Sequence, residues 1–312
     1  MTFVVPLPFP DEYVSGHIAR IVRLNQFLDY GHLRRHILRQ HNDRRSRTFR
    51  NGCELIEQQV ASPAGSYAES HSMVPLLDLL AVEAVVSEGT DARNRITRPF
   101  IFLPGTRAAT CPWKLCQFCR QEDIERFDVA YWHRAHQLPG QETCARHGIP
   151  LMHFPHATIH EVPNPEESMG EFASSAVLRD ESSPVIQRYL RVCAEALRRP
   201  QCCRNRNHIW LALRDFGGPL QTRRYELGTH ASLTRLVSPL LPRHWMKEHI
   251  FRQAEGGVIN DRGWTDGLLL LYLCALAPSF EAVWQVLSSG DSTLRRSTET
   301  SEAAHTTEPT QA

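Results

Sequence analysis

The chain is 312 residues long, with 42% hydrophobic residues and a formal net charge of +1. That length exceeds one ordinary domain, and that apolar share fills a real core, so two or three packed units are expected. The near-zero charge gives no global argument for nucleic acid, and any such contact needs a local patch.

Residues 1–10 read as extended, because Pro6, Pro8 and Pro10 forbid a helix there. A helix is predicted from about Asp11, whose acid suits a helix N-terminus, with Val14, Ile18, Ile21 and Val22 at helical spacing. Across residues 31–50, Arg34, Arg35, Arg39, Arg44, Arg45, Arg47 and Arg50, with three histidines, face one acid, Asp43. Such fixed positive charge suits a DNA backbone, and a solvated basic helix with a loop accounts for it as well. Met73–Ser87 reads as a buried helix and Ile96–Pro104 as extended.

The next stretch carries the chemistry. Cys116-x2-Cys119 is followed, after 24 residues, by Cys144-x2-His147. Two turns of two ligands make a four-coordinate Cys3His set for one structural Zn2+ ion, which takes four soft or borderline ligands tetrahedrally. Gly148 suits the tight turn after the second pair. Four protein donors leave no open position for a catalytic water. A redox dithiol and unconnected core cysteines are the alternatives, and Cys111, His133 and His136 are spare donors. A short helix is expected within Ile124–Gln137, and Tyr131 and Trp132 are expected to pack a module with little core of its own.

Residues 155–183 look like a linker or irregular loop. Pro184 then opens a helix with Val185, Ile186, Tyr189, Leu190, Cys193 and Leu197 inward and Arg188, Arg191, Glu195, Arg198 and Arg199 outward. Further short helices are expected over His208–Phe216, Ser232–Leu241, Arg243–Phe251, Thr265–Leu276 and Ser279–Leu287. Cys202-Cys203 with His208 makes a poor second metal site, since adjacent cysteines share one zinc uncomfortably. The Ser/Thr/Glu-rich end is expected to be disordered.

The fold class expected is therefore mainly α with a small α+β zinc-ribbon-like module, and the C-terminal helices leave room for a helix-turn-helix. The divisions are 1–105 (N-terminal helical region), 106–155 (zinc module), 156–183 (linker), 184–288 (C-terminal helical domain) and 289–312 (tail). Nine cysteines with one metal-like cluster and no signal peptide point to a reducing cytoplasm. The longest apolar run, Gly267–Ala277, is too short to span a bilayer, so no membrane partner is expected.

Tyr131-Trp132-His133-Arg134-Ala135-His136-Gln137-Leu138-Pro139-Gly140, followed by Cys144-x2-His147-Gly148 and Pro150-Leu151, resembles the signature of the TniQ/TnsD family of transposon target-selection proteins. Cys116-x2-Cys119 with Glu122-Asp123, the opening Pro8-Phe9-Pro10-Asp11-Glu12, and Thr97-x-Pro99-Phe100 are similar to family segments. The resemblance covers roughly residues 6–155. Gln141 stands where the family often has a small aliphatic, and Cys111-Pro112 precedes the expected pair. Cys116 fits the metal better than Cys111, because its spacing to Cys119 mirrors that of Cys144 and His147.

The resemblance implies an adaptor, not an enzyme. Such a protein meets target DNA or an RNA-guided targeting complex and recruits an AAA+ ATPase transposition regulator. A homodimer stays open. A zinc-dependent hydrolase or nuclease is the competing class. It would use His133 and His136 at the metal, with Glu122, Asp123 or Glu125 as base. A zinc-containing transcription regulator shares the DNA chemistry without the ATPase.

Overall fold

The computed structural model describes residues 3–29, 31–33, 35–36, 56–57, 59–60, 66–73, 75–76, 113–154, 170–199, 206–216, 237–247 and 270–288. The expectations for Ile96–Pro104, Cys111, Cys202-Cys203 and the tail lie outside these residues, as do most of the basic run and of Met73–Ser87.

Helix α1 (Val14–Leu24) forms where Val14, Ile18 and Ile21 recur at helical spacing, and all three are buried. Its predicted start at Asp11 is corrected. Asp11 stands at φ 55, outside the helix. Its carbonyl accepts from the Arg134 N–H at 2.8 Å and its Oδ2 from the Ala135 N–H at 3.1 Å. A distant backbone claims this acid, so the helix starts after Tyr13, whose own N–H donates to the Trp132 carbonyl at 2.7 Å. Helix α2 (Ser66–His71) packs beside it through the His17 and Tyr67 rings.

A three-stranded antiparallel sheet, in the order β1-β2-β3, holds the metal module: β1 (Trp113–Leu115), β2 (Met152–Phe154) and β3 (Glu171–Phe172). Trp113 pairs with Phe154, Lys114 with His153 and Leu115 with Met152; Met152 then pairs with Phe172. Helix α3 (Gln117–Phe127) runs directly out of β1. The short helix expected within Ile124–Gln137 is thus displaced. The helix starts at the first cysteine pair, because Cys116 is its N-cap, and ends at Asp128 in the left-handed region. Only a 3-10 turn, Arg134–Gln137, follows.

The reading of 155–183 as irregular is corrected over 170–183. That stretch holds β3 and helix α4 (Ser175–Glu181), capped by the Ser174 hydroxyl accepting from the Val177 N–H at 3.3 Å. Helix α5 (Pro184–Arg198) opens with Pro184 in its first turn, as the sequence suggests, and Ser183 is its cap. Its inner face is Ile186, Tyr189, Leu190, Val192, Cys193, Ala196 and Leu197. Arg188 does not face solvent as expected. It reaches across to the end of helical residues 270–276, donating to the carbonyls of Cys274 (2.5 Å) and Ala277. Those terminal carbonyls have no partner within their own helix, so a guanidinium is a fitting cap.

Helix α6 (Arg206–Phe216), a 3-10 turn (Ser238–Leu240), helix α7 (Arg243–Met246) and helix α8 (Phe280–Ser288) complete the described elements. Helix α7 rests on α4, and α8 packs on α5 and α6. One buried apolar cluster includes Tyr13 and Ile18 of α1, Trp113 and Trp132 of the metal module, Leu190 of α5 and Val283 of α8. The described residues are mostly helical with one small sheet, in line with the expected class. Among them, no helix is long and apolar enough to cross a membrane.

Candidate metal centre

Four side chains converge at one point: Cys116, Cys119, Cys144 and His147, with all ligand atoms within 4.8 Å of one another. Local structure explains the convergence. Cys116 sits at the β1–α3 junction, and Cys119 lies one turn into α3 on the same side. The second pair sits on a tight reversal. The Gly148 N–H donates to the Cys144 carbonyl, and the Cys144 N–H to the Ile149 carbonyl, each at 2.8 Å. Gly148 has φ +65, which a side chain would strain. Thr143 and Pro150 close the reversal as an isolated bridge.

The spacing of the donors fits a tetrahedron. Bonds of about 2.3 Å to sulfur and about 2.0 Å to nitrogen put neighbouring ligand atoms roughly 3.5–3.8 Å apart. His147 Nδ1 lies 3.4 Å from Cys116 Sγ, 3.3 Å from Cys119 Sγ and 3.7 Å from Cys144 Sγ. The Cys119 and Cys144 sulfurs are 3.8 Å apart. The other His147 nitrogen, Nε2, faces Glu122 Oε1 at 3.3 Å, and Glu122 also pairs with Arg146 at 2.7 Å. A carboxylate behind a histidine fixes its tautomer and ring orientation, as metal sites require.

Electrostatics point the same way. The three cysteines are almost fully buried. Cys119 is held well above the ordinary thiol value by proton sharing with Cys144 and by burial, and burial raises Cys116 too. Three buried thiols this close resist joint ionisation, and a divalent cation removes that conflict. The cysteines and Leu151 form a small cluster separate from the main core. This patch has too little apolar surface to hold its own fold, which suits a metal-held module. The set is compatible with a single zinc ion.

The sequence motif strand, Cys-x2-Cys, helix also belongs to redox dithiols. Here β1, Cys116 and α3 do follow that order. Cys144 and His147 join this pair in one four-donor set, which favours the metal reading.

Of the spare donors, His133 is placed elsewhere. Its Nε2 pairs with Asp123 Oδ2 at 2.8 Å, and its ring stacks on Tyr131. His136 is close to the cluster: its Nε2 lies 3.6 Å from both Cys119 Sγ and Cys144 Sγ. Burial holds its ring below the usual histidine value. In the basic run, Arg35 is exposed at the surface. Arg34, Arg39, Arg44, Arg45 and Arg47 lie outside the described residues.

The strip from Tyr131 to Gly140 has a structural meaning that its composition does not announce. Its backbone pairs with the N-terminal segment, Glu12 bridging to His133, and the Tyr131 hydroxyl donates to the Pro10 carbonyl at 2.9 Å. Arg134 is buried and donates to the carbonyls of Glu69 (2.6 Å), Ser72 (3.3 Å) and Leu197 (3.4 Å) and to Asp11 Oδ1 (3.2 Å). One side chain thus joins the N-terminal segment, α2 and α5 to the metal module. Glu181 of α4 does the same from the other side, accepting from the Glu142 N–H (2.8 Å), the Thr143 N–H (3.2 Å) and the Thr143 hydroxyl (2.6 Å). Sequence reasoning missed both. The local sequence around Arg134, with histidine and alanine on either side between Trp132 and Leu138, gives little sign of its burial.

The TniQ family model matches residues 3–151, a span that begins before α1 and ends at the second knuckle. Residues 3–151 of the chain belong to the TniQ family. The match takes in both the N-terminal segment and the metal module, the two parts that Asp11, Tyr13 and Arg134 tie together. Membership associates this TniQ protein with transposition. TniQ is not a known enzyme family. No curated protein matches the chain.

Proposed function

We propose that this TniQ protein is a target-selection adaptor in DNA transposition. It binds target DNA or a targeting complex and recruits an AAA+ ATPase transposition regulator. The observation that carries the reading is the TniQ match over 3–151, joined to a donor set with all four positions supplied by protein. Cys116, Cys119, Cys144 and His147 would hold one Zn2+ ion. That ion supplies cross-linking of two turns and no chemistry on a substrate. The basic run, with Arg34, Arg35, Arg39, Arg44, Arg45 and Arg47, is the candidate for phosphate contact.

The competing hydrolase reading needs a free carboxylate beside an open metal position. Each local candidate is engaged: Glu122 with His147 and Arg146, Asp123 with His133, and Glu125 with Gln121 Nε2 at 2.9 Å. His133 is turned to Asp123 and away from the cluster. These partners favour the adaptor.

The test is a pull-down of the purified chain with an AAA+ ATPase transposition regulator from the same host element, with and without DNA. Association is the expected result. No association under either condition sinks the adaptor reading. Affinity for DNA should fall steeply with salt, reporting phosphate contacts.

A further inference from the structure

The metal set has an inner edge. Cys119 and Cys144 are two of its buried sulfurs, 3.8 Å apart, and the His136 ring approaches both. His136 Nε2 is 3.6 Å from each sulfur, so the three atoms form a nearly equilateral triangle. The ring is 4% exposed, and its Nδ1 is buried with no hydrogen-bond partner. Among the described residues, sulfur is thus the one kind of hydrogen-bond partner this ring has, beside a ring contact with His133 at 4.9 Å. The 3-10 turn that carries it is anchored independently, with the His136 N–H donating to the His133 carbonyl and Arg134 held at four points.

We propose that His136 is a positioning residue for the metal, donating its Nε2–H to the Cys119 and Cys144 thiolates as a forked hydrogen bond. This rests on the zinc reading given above. The reason is charge. Three thiolates, one dication and a neutral His147 leave one net negative charge in a dry site. An unshared nitrogen lone pair aimed at two thiolates would repel them, so the ring proton belongs at Nε2 and not at Nδ1. Donation to an ionised acceptor is among the stronger hydrogen bonds, and it withdraws charge from both sulfurs without occupying a coordination position. The orphaned Nδ1 follows directly: its lone pair is the cost of placing the proton on the sulfur side.

The geometry also separates His136 from His147. His147 Nδ1 touches all three sulfurs at 3.3–3.7 Å, as a fourth ligand must. His136 Nε2 lies 3.6 Å from two of them, Cys119 and Cys144.

The experiment uses the full chain, 15N-labelled and loaded with 113Cd. Magnetic resonance should find a His136 Nε2–H proton weakly coupled to cadmium through the hydrogen bond, and a His147 nitrogen coupled directly. Direct coupling at His136 with none at His147 overturns the proposal by making His136 the ligand. Cadmium bound with the His136 proton on Nδ1 also overturns it, and leaves the metal reading intact. A chain that takes up neither zinc nor cadmium overturns both.

Two variants separate donation from packing. His136→Phe keeps a ring and loses the donor; His136→Gln loses the ring and keeps an N–H. In competition with a chelator, the Phe variant should bind zinc roughly tenfold to a hundredfold more weakly, and the Gln variant should recover most of that. The reverse order would assign His136 to packing alone. If the Phe variant does not fold, the resonance measurement on the unaltered chain decides.

Discussion

Trp245 closes over Gly140, its Nε1–H donating to the Gly140 carbonyl at 3.2 Å across 105 residues of sequence. Gly140 stands at φ +76, and a Cβ there would collide with Trp245 Cζ2. Both the backbone angle and the contact demand glycine. Gly140→Ala should therefore cost roughly 2–4 kcal/mol, combining strain at positive φ with overpacking against a fixed indole. Denaturant unfolding measures it. A loss under about 0.5 kcal/mol would mean that Trp245 does not rest on this turn. The indole is itself held in place, because Asp180 Oδ2 accepts from the His244 and Trp245 N–H groups at 2.7 and 3.0 Å.

Arg134 is expected to resist its usual conservative replacement. Its guanidinium serves three carbonyls and one carboxylate that lie in different directions. A lysine has one compact ammonium and cannot reach all of them. Arg134→Lys should cost about 2–4 kcal/mol, since buried carbonyls would lose donors. The N-terminal segment should also open to proteases, because Asp11 loses a partner. Equal protease resistance in the two proteins would show that the clamp is redundant.

These two contacts show what was legible beforehand. The metal set could be read because its geometry is short-range: two residues between ligands fix a turn, whatever the rest does. Helix α5 could be read because Pro184 and the 3–4 spacing after it are local signals. The role of Arg134 could not, since its partners are mainly backbone carbonyls, which carry no mark in a sequence. Asp11 misled for the same reason. An acid before an apolar periodic run looks like a helix start, yet the Arg134 and Ala135 N–H groups had claimed it. Helix α4 was hidden in a stretch rich in Ser, Pro and Glu, where composition suggested a loop and the fold supplied Glu142 and Thr143 as partners for Glu181.

Removal of the metal should unfold the module locally and not merely weaken binding. The cluster around Cys116, Cys119, Cys144 and Leu151 has little apolar area of its own. Binding free energy of a structural zinc, about 10–16 kcal/mol in small modules, is largely folding free energy. Cys144→Ser should lose metal and structure together. Elemental analysis should read one zinc per unaltered chain and well below one in the variant. Amide exchange should rise across residues 116–151 in the variant. Retained protection there without metal would assign the fold of the module to packing.

Acid should weaken the N-terminal packing through His17. This ring is fully buried; its Nε2–H donates to the Pro6 carbonyl at 2.8 Å, and its Nδ1 accepts from the Tyr67 hydroxyl at 2.6 Å. Both bonds suit the neutral ring, and burial pulls its pKa from 6.5 to about 3. Burial lowers His71 as well. Because the folded value is depressed, the unfolded chain binds the extra proton first. Stability from His17 is therefore complete above about pH 6.5 and declines as pH falls toward 3, by at most about 1.4 kcal/mol per pH unit. Metal loss also occurs in acid, so the difference between the unaltered chain and His17→Gln at each pH is the useful quantity. At pH 7 the variant should be less stable by roughly 1–3 kcal/mol, having lost two buried hydrogen bonds. That gap should narrow between pH 6.5 and pH 5, where only the unaltered chain takes up a proton at this site on unfolding. A gap that stays constant over that range would remove His17 from the acid response.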